Sequence, residues 1–260
     1  MSETLRNFYK KPGNLSSIAV GAARYGFEQR YDLVTKKLKK KFDVRIFQES
    51  ETSYYYKILV PSDTRNLYYD VVIHFFETSQ ETHISMKDWN VEFFSNCPSF
   101  VYNYAYAYNK KKLLIDSLYD KLGKDVLEKK PDERNPKLEI MWDKSIFYAI
   151  HHIMINAQYS QRYFVKRNAL EYNPETFFDS IRSAKEIMEE LSSDHGRKMD
   201  SVTLRRKLRE TDYSKAKKVV KQKLKSSIKM ITGLSNVKSG HRNSKGKITG
   251  KPKIGGKKRN

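Results

Sequence analysis

The chain is short of cysteine, short of apolar runs and, over its last 47 residues, empty of acid. Its single cysteine, Cys97, excludes an intrachain disulfide framework and any four-cysteine zinc site, and it fits a reducing compartment. No stretch approaches the roughly 18 uninterrupted apolar residues of a transmembrane helix. Residues 1–15 mix Arg6, Lys10 and Lys11 with Pro12 and Gly13 and hold no apolar core, so no secretory signal is expected there. The expected location is the cytoplasm or the inside of a viral particle. No Walker loop, G-x-S-x-G or G-x-G-x-x-G occurs. Nor does a helix-turn-helix, zinc-finger, RRM, KH or OB signature.

The missing acid locates the charge. The formal net charge is +21, from 51 Lys and Arg against 30 Asp and Glu. Residues 214–260 hold 16 of the basic residues and none of the acidic ones, so residues 1–213 carry 35 against 30, a net of +5. The same 47 residues lack Phe, Trp and Tyr and contain 6 of the 11 glycines. Such a segment buries too little apolar surface to offset its ordering entropy. Lys, Asn, Ile and Tyr are abundant throughout, the residue usage of AT-rich genomes, among them those of low-GC bacteria and their phages.

Periodicity divides the rest. An extended leader is expected over 1–21 and an α+β unit over 22–128. A helix over 22–42 places Phe27, Tyr31, Val34 and Leu38 on one face. Period-two runs follow at Val44–Phe47, Tyr54–Val60, Leu67–Phe76 and His83–Phe94, joined by short polar turns. They predict a four-stranded antiparallel meander, one face of which the preceding helix covers. Phe100–Leu122 reads as a helix carrying Leu114, Leu118 and Leu122, with Gly123 as its stop. The segment 129–137 (KKPDERNPK) is a candidate hinge, and 138–213 reads as a helical region. The fold class expected is therefore α+β: helix, meander, helical half and a basic, low-complexity C-terminal tail over 214–260. Within the tail, 215–231 keeps an amphipathic stripe of Val220, Leu224, Ile228 and Ile231, and the Gly/Lys segment beyond it is expected to be flexible.

The tail carries the strongest functional signal. Lys215, Lys217, Lys218, Lys221, Lys225, Arg242, Lys245, Lys247, Lys251, Lys253, Lys257, Lys258 and Arg259 are the expected nucleic-acid contacts. Lys and Arg neutralise phosphates and release counterions without reading sequence, and the absence of aromatics leaves no base-stacking platform in the tail. A second basic cluster is Lys36, Lys37, Lys39, Lys40 and Lys41, which either extends those contacts or is a solvated helix face. Tyr102, Tyr104, Tyr106 and Tyr108 form an aromatic run suited to core packing or to a protein interface.

Signals for catalysis are weaker. Asp70 and Glu92, on neighbouring predicted strands, are the first candidates to meet across the sheet and hold a divalent metal. Phe94 stands where the acidic-x-Lys pattern of one nuclease class needs a lysine. His151 and His152 are adjacent and point about 100° apart on a helix, so they suit a core rather than a zinc site. Cys97 sits in an apolar context and is expected to be inert. No metal or cofactor is expected.

The leading expectation is a non-enzymatic structural or assembly protein of a nucleoprotein particle, for example a phage virion. Its body makes protein–protein contacts, and its tail binds DNA or RNA non-specifically. Two alternatives stand beside it. One is a metal-dependent nuclease or other nucleic-acid enzyme. The other is an adaptor whose tail binds an acidic protein or a membrane surface.

Overall fold

The structure, a computed structural model, describes residues 3–13, 16–63, 65–77, 85–131, 135–161 and 170–193. The start of the fourth predicted strand at His83, parts of the candidate hinge and of the helical region, and the whole basic tail lie outside the described residues.

The period-two runs form the expected meander: β1 (Asp43–Ser50), β2 (Ser53–Pro61), β3 (Tyr68–Phe76) and β4 (Asn90–Ser95), each antiparallel to the next. A fifth strand, β5 (Leu170–Glu171), joins parallel to β1 at Ile46 and Phe47, giving the order β4-β3-β2-β1-β5. Its two residues carry no readable period, which is why sequence pattern does not disclose it. The fourth strand starts at Asn90, later than expected. Before it, Met86–Asp88 form a single 3-10 turn whose Lys87 N–H donates to Ser85 Oγ.

Register explains why both faces read as apolar. One row across the sheet is Ile46, Tyr56, Ile73 and Phe93, all fully buried. Helices α1 (Leu5–Lys10) and α7 (Lys144–Ile155) cover this side, α2 (Ser17–Asp32) packs on α7, and the short α8 (Ala157–Ser160) follows α7. Phe8 packs on Phe93 with ring centroids 4.6 Å apart, and the Ser95 and Ser145 hydroxyls meet at 2.9 Å. The adjacent row, Phe47, Tyr55, His74 and Glu92, faces the other way. There Phe177 and Phe178 of α9 (Pro174–Asp179) pack on Phe47 and Tyr55. Helix α10 (Ala184–Ser193) follows α9 and packs on the helices Pro98–Asn103 and Tyr119–Leu122. The sheet is thus covered on both faces rather than by the single helical layer expected. Burial of each large side chain contributes about 1.5–3 kcal/mol. One apolar cluster runs from Leu5 to Ala184, so residues on both sides of 129–137 share a core.

The described part of 1–21 is not the extended leader expected: it holds α1 and the first turns of α2, which is capped by Ser16, whose Oγ accepts from Ala19 N at 3.3 Å. Helix α2 does not continue to residue 42. A π-helical turn at Leu33–Lys37 closes with Leu38 N–H donating to Leu33 O, and Lys39 then takes a positive φ of 52°.

The segment expected as one helix over 100–122 is broken. It forms α3 (Pro98–Asn103) and α4 (Ala105–Lys110), then turns at Lys112, with φ 54°. Leu113–Ile115 run along the free edge of β4: Phe93 N–H donates to Leu113 O and Ile115 N–H to Phe93 O. A 3-10 turn, α5 (Tyr119–Leu122), Gly123 and α6 (Lys124–Glu128) complete it. Leu114, Leu118 and Leu122 are all buried, as their spacing suggests. They reach the core from different elements because the sheet edge takes hydrogen bonds that a continuous helix would keep for itself.

Gly13 has φ +56°, and a Cβ there would lie 2.8 Å from Ile140 O. Gly13→Ala is expected to cost about 1–3 kcal/mol through the left-handed backbone and that clash. Thermal unfolding should show it as a drop of about 2–4 °C per kcal/mol.

Candidate functional site

The nucleic-acid residues expected in the tail, from Lys215 to Arg259, lie outside the described residues. The other predicted sites are placed, and they separate. Lys36, Lys37, Lys39 and Lys41 are exposed. Lys36 forms a surface pair with Asp32 at 3.0 Å, of the kind worth less than about 1 kcal/mol. Lys40 differs. Its Nζ donates to Ser62 O at 2.8 Å and Arg65 O at 2.7 Å, and burial lowers its pKa. It fastens the β2–β3 turn, so the cluster offers four outward cations rather than five.

The tyrosine run wraps around two short helices instead of lining one face. Tyr102 is 54 % exposed, Tyr104 and Tyr106 are half-buried, and Tyr108 is fully buried with its hydroxyl donating to Met141 O at 2.9 Å. Of the four, Tyr102 alone turns an open ring to solvent.

Asp70 and Glu92 do not meet. Glu92 stands opposite His74, four positions along β3 from Asp70, or about 13 Å at strand rise. Glu92 Oε2 lies 3.1 Å from His74 Nδ1. Asp70 is fully buried. Its Oδ2 accepts from the Arg182 N–H at 2.8 Å, from Arg182 Nε at 3.2 Å and from Asn96 Nδ2 at 3.3 Å. Lys57 Nζ is 3.9 Å from Asp70 Oδ1 and also donates to Ser180 O and Oγ. This carboxylate ties the α9–α10 junction to the sheet. Sequence reasoning missed its partners because Arg182 is 112 residues away. Among the described residues no group of three or more His, Cys, Asp and Glu side chains is arranged to hold a metal ion.

His151 and His152 are partly buried beside the rings of Tyr9, Tyr31 and Phe42. Tyr9 Oη and His151 Nδ1 are hydrogen-bonded at 2.8 Å, and Tyr31 Oη and His152 Nδ1 at 2.7 Å. Burial, and then the neighbouring charge of His151, lower the His152 pKa from 6.5 to about 4. A depressed histidine stabilises the fold fully above pH 6.5, and that stability is lost as pH falls toward 4. At about 1.4 kcal/mol per unit, the loss approaches about 3 kcal/mol. Unfolding free energies from denaturant titration at pH 7 and 4.5 should differ by about 2.5 kcal/mol through this group in the parent. The difference should shrink in His152→Gln, which separates the histidine from the carboxylates.

Cys97 is buried and its thiol is pushed up to about 12, first by burial and then by Asp143. It is inert at neutral pH, as its context suggests.

A cleft that no single motif announces lies beside it. Its volume is about 450 Å³. Phe27 and Arg30 come from α2, Arg65 from the β2–β3 turn, Tyr69 from β3, Cys97–Ser99 from the start of α3, Tyr104 from the α3–α4 junction, Trp142–Lys144 from the entry to α7, and Leu191 from α10. Trp142 is held by Nε1–H donation to Phe8 O at 3.0 Å. Asp143 caps α7, its Oδ1 accepting from Ser145 N at 2.9 Å. Beneath the cleft, the fully buried Asp63 takes Lys144 Nζ at 2.5 Å and lies 3.8 Å from Arg30 Nη1. Asp63 Oδ2 and the buried Tyr148 hydroxyl have no hydrogen-bond partner among the described residues. The chemistry on offer among the described residues is cationic donors beside half-buried rings.

Among the described residues no helix is long and apolar enough to cross a membrane. No family model, no curated protein and no solved structure matches this chain.

Proposed function

We propose that this is a non-enzymatic structural or assembly protein whose C-terminal segment binds nucleic acid without sequence preference, working within a nucleoprotein particle such as a phage virion. One observation carries the reading: 16 Lys and Arg with no Asp or Glu across residues 214–260. A segment of that composition condenses on phosphate backbones by releasing counterions. The body, nearly balanced in charge and with Tyr102 open on its surface, supplies protein contacts.

The test replaces the Lys and Arg of 214–260 by Gln in the full chain. Binding to DNA and RNA is then measured across a salt series, with anionic vesicles and an acidic polypeptide in parallel arms. Loss of salt-sensitive nucleic-acid binding supports the reading. Binding of the parent to vesicles or the polypeptide but not to nucleic acid replaces it with an adaptor role. Absorbance of native preparations at 260 against 280 nm gives an independent check.

A further inference from the structure

We propose that the cleft between α2, the β2–β3 turn and the entry to α7 receives one unpaired nucleotide of a single strand. The inference rests on the nucleic-acid reading above and adds a second contact, in the body. Arg30, Arg65 and Lys144 line the cleft together with Asp143, and Asp63 lies beneath. Lys40 also acts on Asp63, so the charges around the cleft sum to a positive surplus, which suits a phosphate group.

Two of the three lining cations keep donors for it. Lys144 is committed to Asp63 at 2.5 Å. Arg30 lies 3.8 Å from the same carboxylate, outside hydrogen-bond reach, and Arg65 lines the cleft near enough to Tyr69 for its charge to act on that ring. Each guanidinium presents several N–H groups in a planar fork suited to phosphate oxygens. The Arg65 backbone is fixed: its N–H donates to Ser62 Oγ and its carbonyl accepts from Lys40. A cationic side chain on a held backbone is the arrangement a ligand contact needs.

The remaining walls suit a base. Phe27, Tyr69 and Tyr104 line the cleft with half-buried rings. Stacking on such rings contributes about 1–3 kcal/mol per base and tolerates every base. The volume of about 450 Å³ falls in the range of about 300–1,000 Å³ typical of small-ligand sites. A base inside a duplex presents no open face to such rings, so the cleft selects single strands, whereas the tail makes no such distinction.

The experiment measures the full chain against a fluorescent oligothymidine and a duplex of equal length, at a salt concentration high enough to weaken the tail. The parent is expected to favour the single strand at least about tenfold, which one stacked base supplies. Arg65→Ala should lower single-strand affinity several-fold and leave duplex affinity unchanged. If Arg65→Ala lowers the unfolding temperature, Ser99→Glu carries the test. Ser99 is exposed at the rim, and an added negative charge should repel the phosphate. Single-strand affinity that survives both variants overturns the cleft and leaves the tail reading intact. A parent that binds neither at this salt sinks the cleft, and one that binds neither at low salt as well sinks both. A parent that prefers duplex sinks the cleft alone.

Discussion

Asp70→Ala is expected to destabilise the protein by about 3–5 kcal/mol, the penalty for stranding buried charges. The carboxylate is fully buried, and it holds the Arg182 N–H at 2.8 Å, Arg182 Nε at 3.2 Å and Lys57 Nζ at 3.9 Å. Lys57 is only 6 % exposed. Burial already lowers its pKa, and Asp70 is the main group opposing that. Without Asp70, Lys57 is left to lose its proton or remain an uncompensated ammonium. The Arg182 side chain is 32 % exposed and can relax toward water, which places the cost near the lower end of the range. Denaturant titration of Asp70→Ala, Lys57→Met and the double variant measures the coupling. The double variant should recover part of the loss, because the stranded ammonium is gone. A change under about 1 kcal/mol for Asp70→Ala would mean that the network holds nothing together. The result also governs any nuclease assay with this variant, since lost activity would first have to be separated from lost structure.

The second large effect concerns the tail. A protein making six to ten phosphate contacts loses roughly 10³–10⁵ in affinity between 50 and 200 mM salt. The tail has 16 cations, enough for that number with some left in solvent. The parent should therefore show a log–log salt slope of about −5 to −9 on duplex, at roughly −0.9 per phosphate. Replacing the tail Lys and Arg by Gln should reduce the slope to about −2 or less. The outward cations Lys36, Lys37, Lys39 and Lys41 are the described residues best placed to supply the remainder. A slope that survived neutralisation would assign the binding to the body. Equal affinity for DNA and RNA duplexes is expected, because a flexible cationic segment reads neither groove.

Local pattern determined a good deal about this protein. Alternation in residues 44–76 and the polar turns between the runs predict β1 to β3, because a strand with buried faces repeats every two residues whatever packs on it. The composition of 214–260 determines the charge argument by itself. The spacing of Leu114, Leu118 and Leu122 foretells their burial but not their structure, since the edge of β4 claims Leu113–Ile115. Tertiary structure alone decided that Asp70 is a buried fastening rather than a metal ligand, that Lys40 turns inward, and that a two-residue strand closes the sheet beside β1. It alone brought Arg30, Arg65, Tyr104 and Lys144 around one cleft. The physical reason is range. Periodicity records which residues leave water, a property each segment carries locally. A salt bridge or a cleft depends on which distant segments share one place, and only the packing of the whole chain sets that.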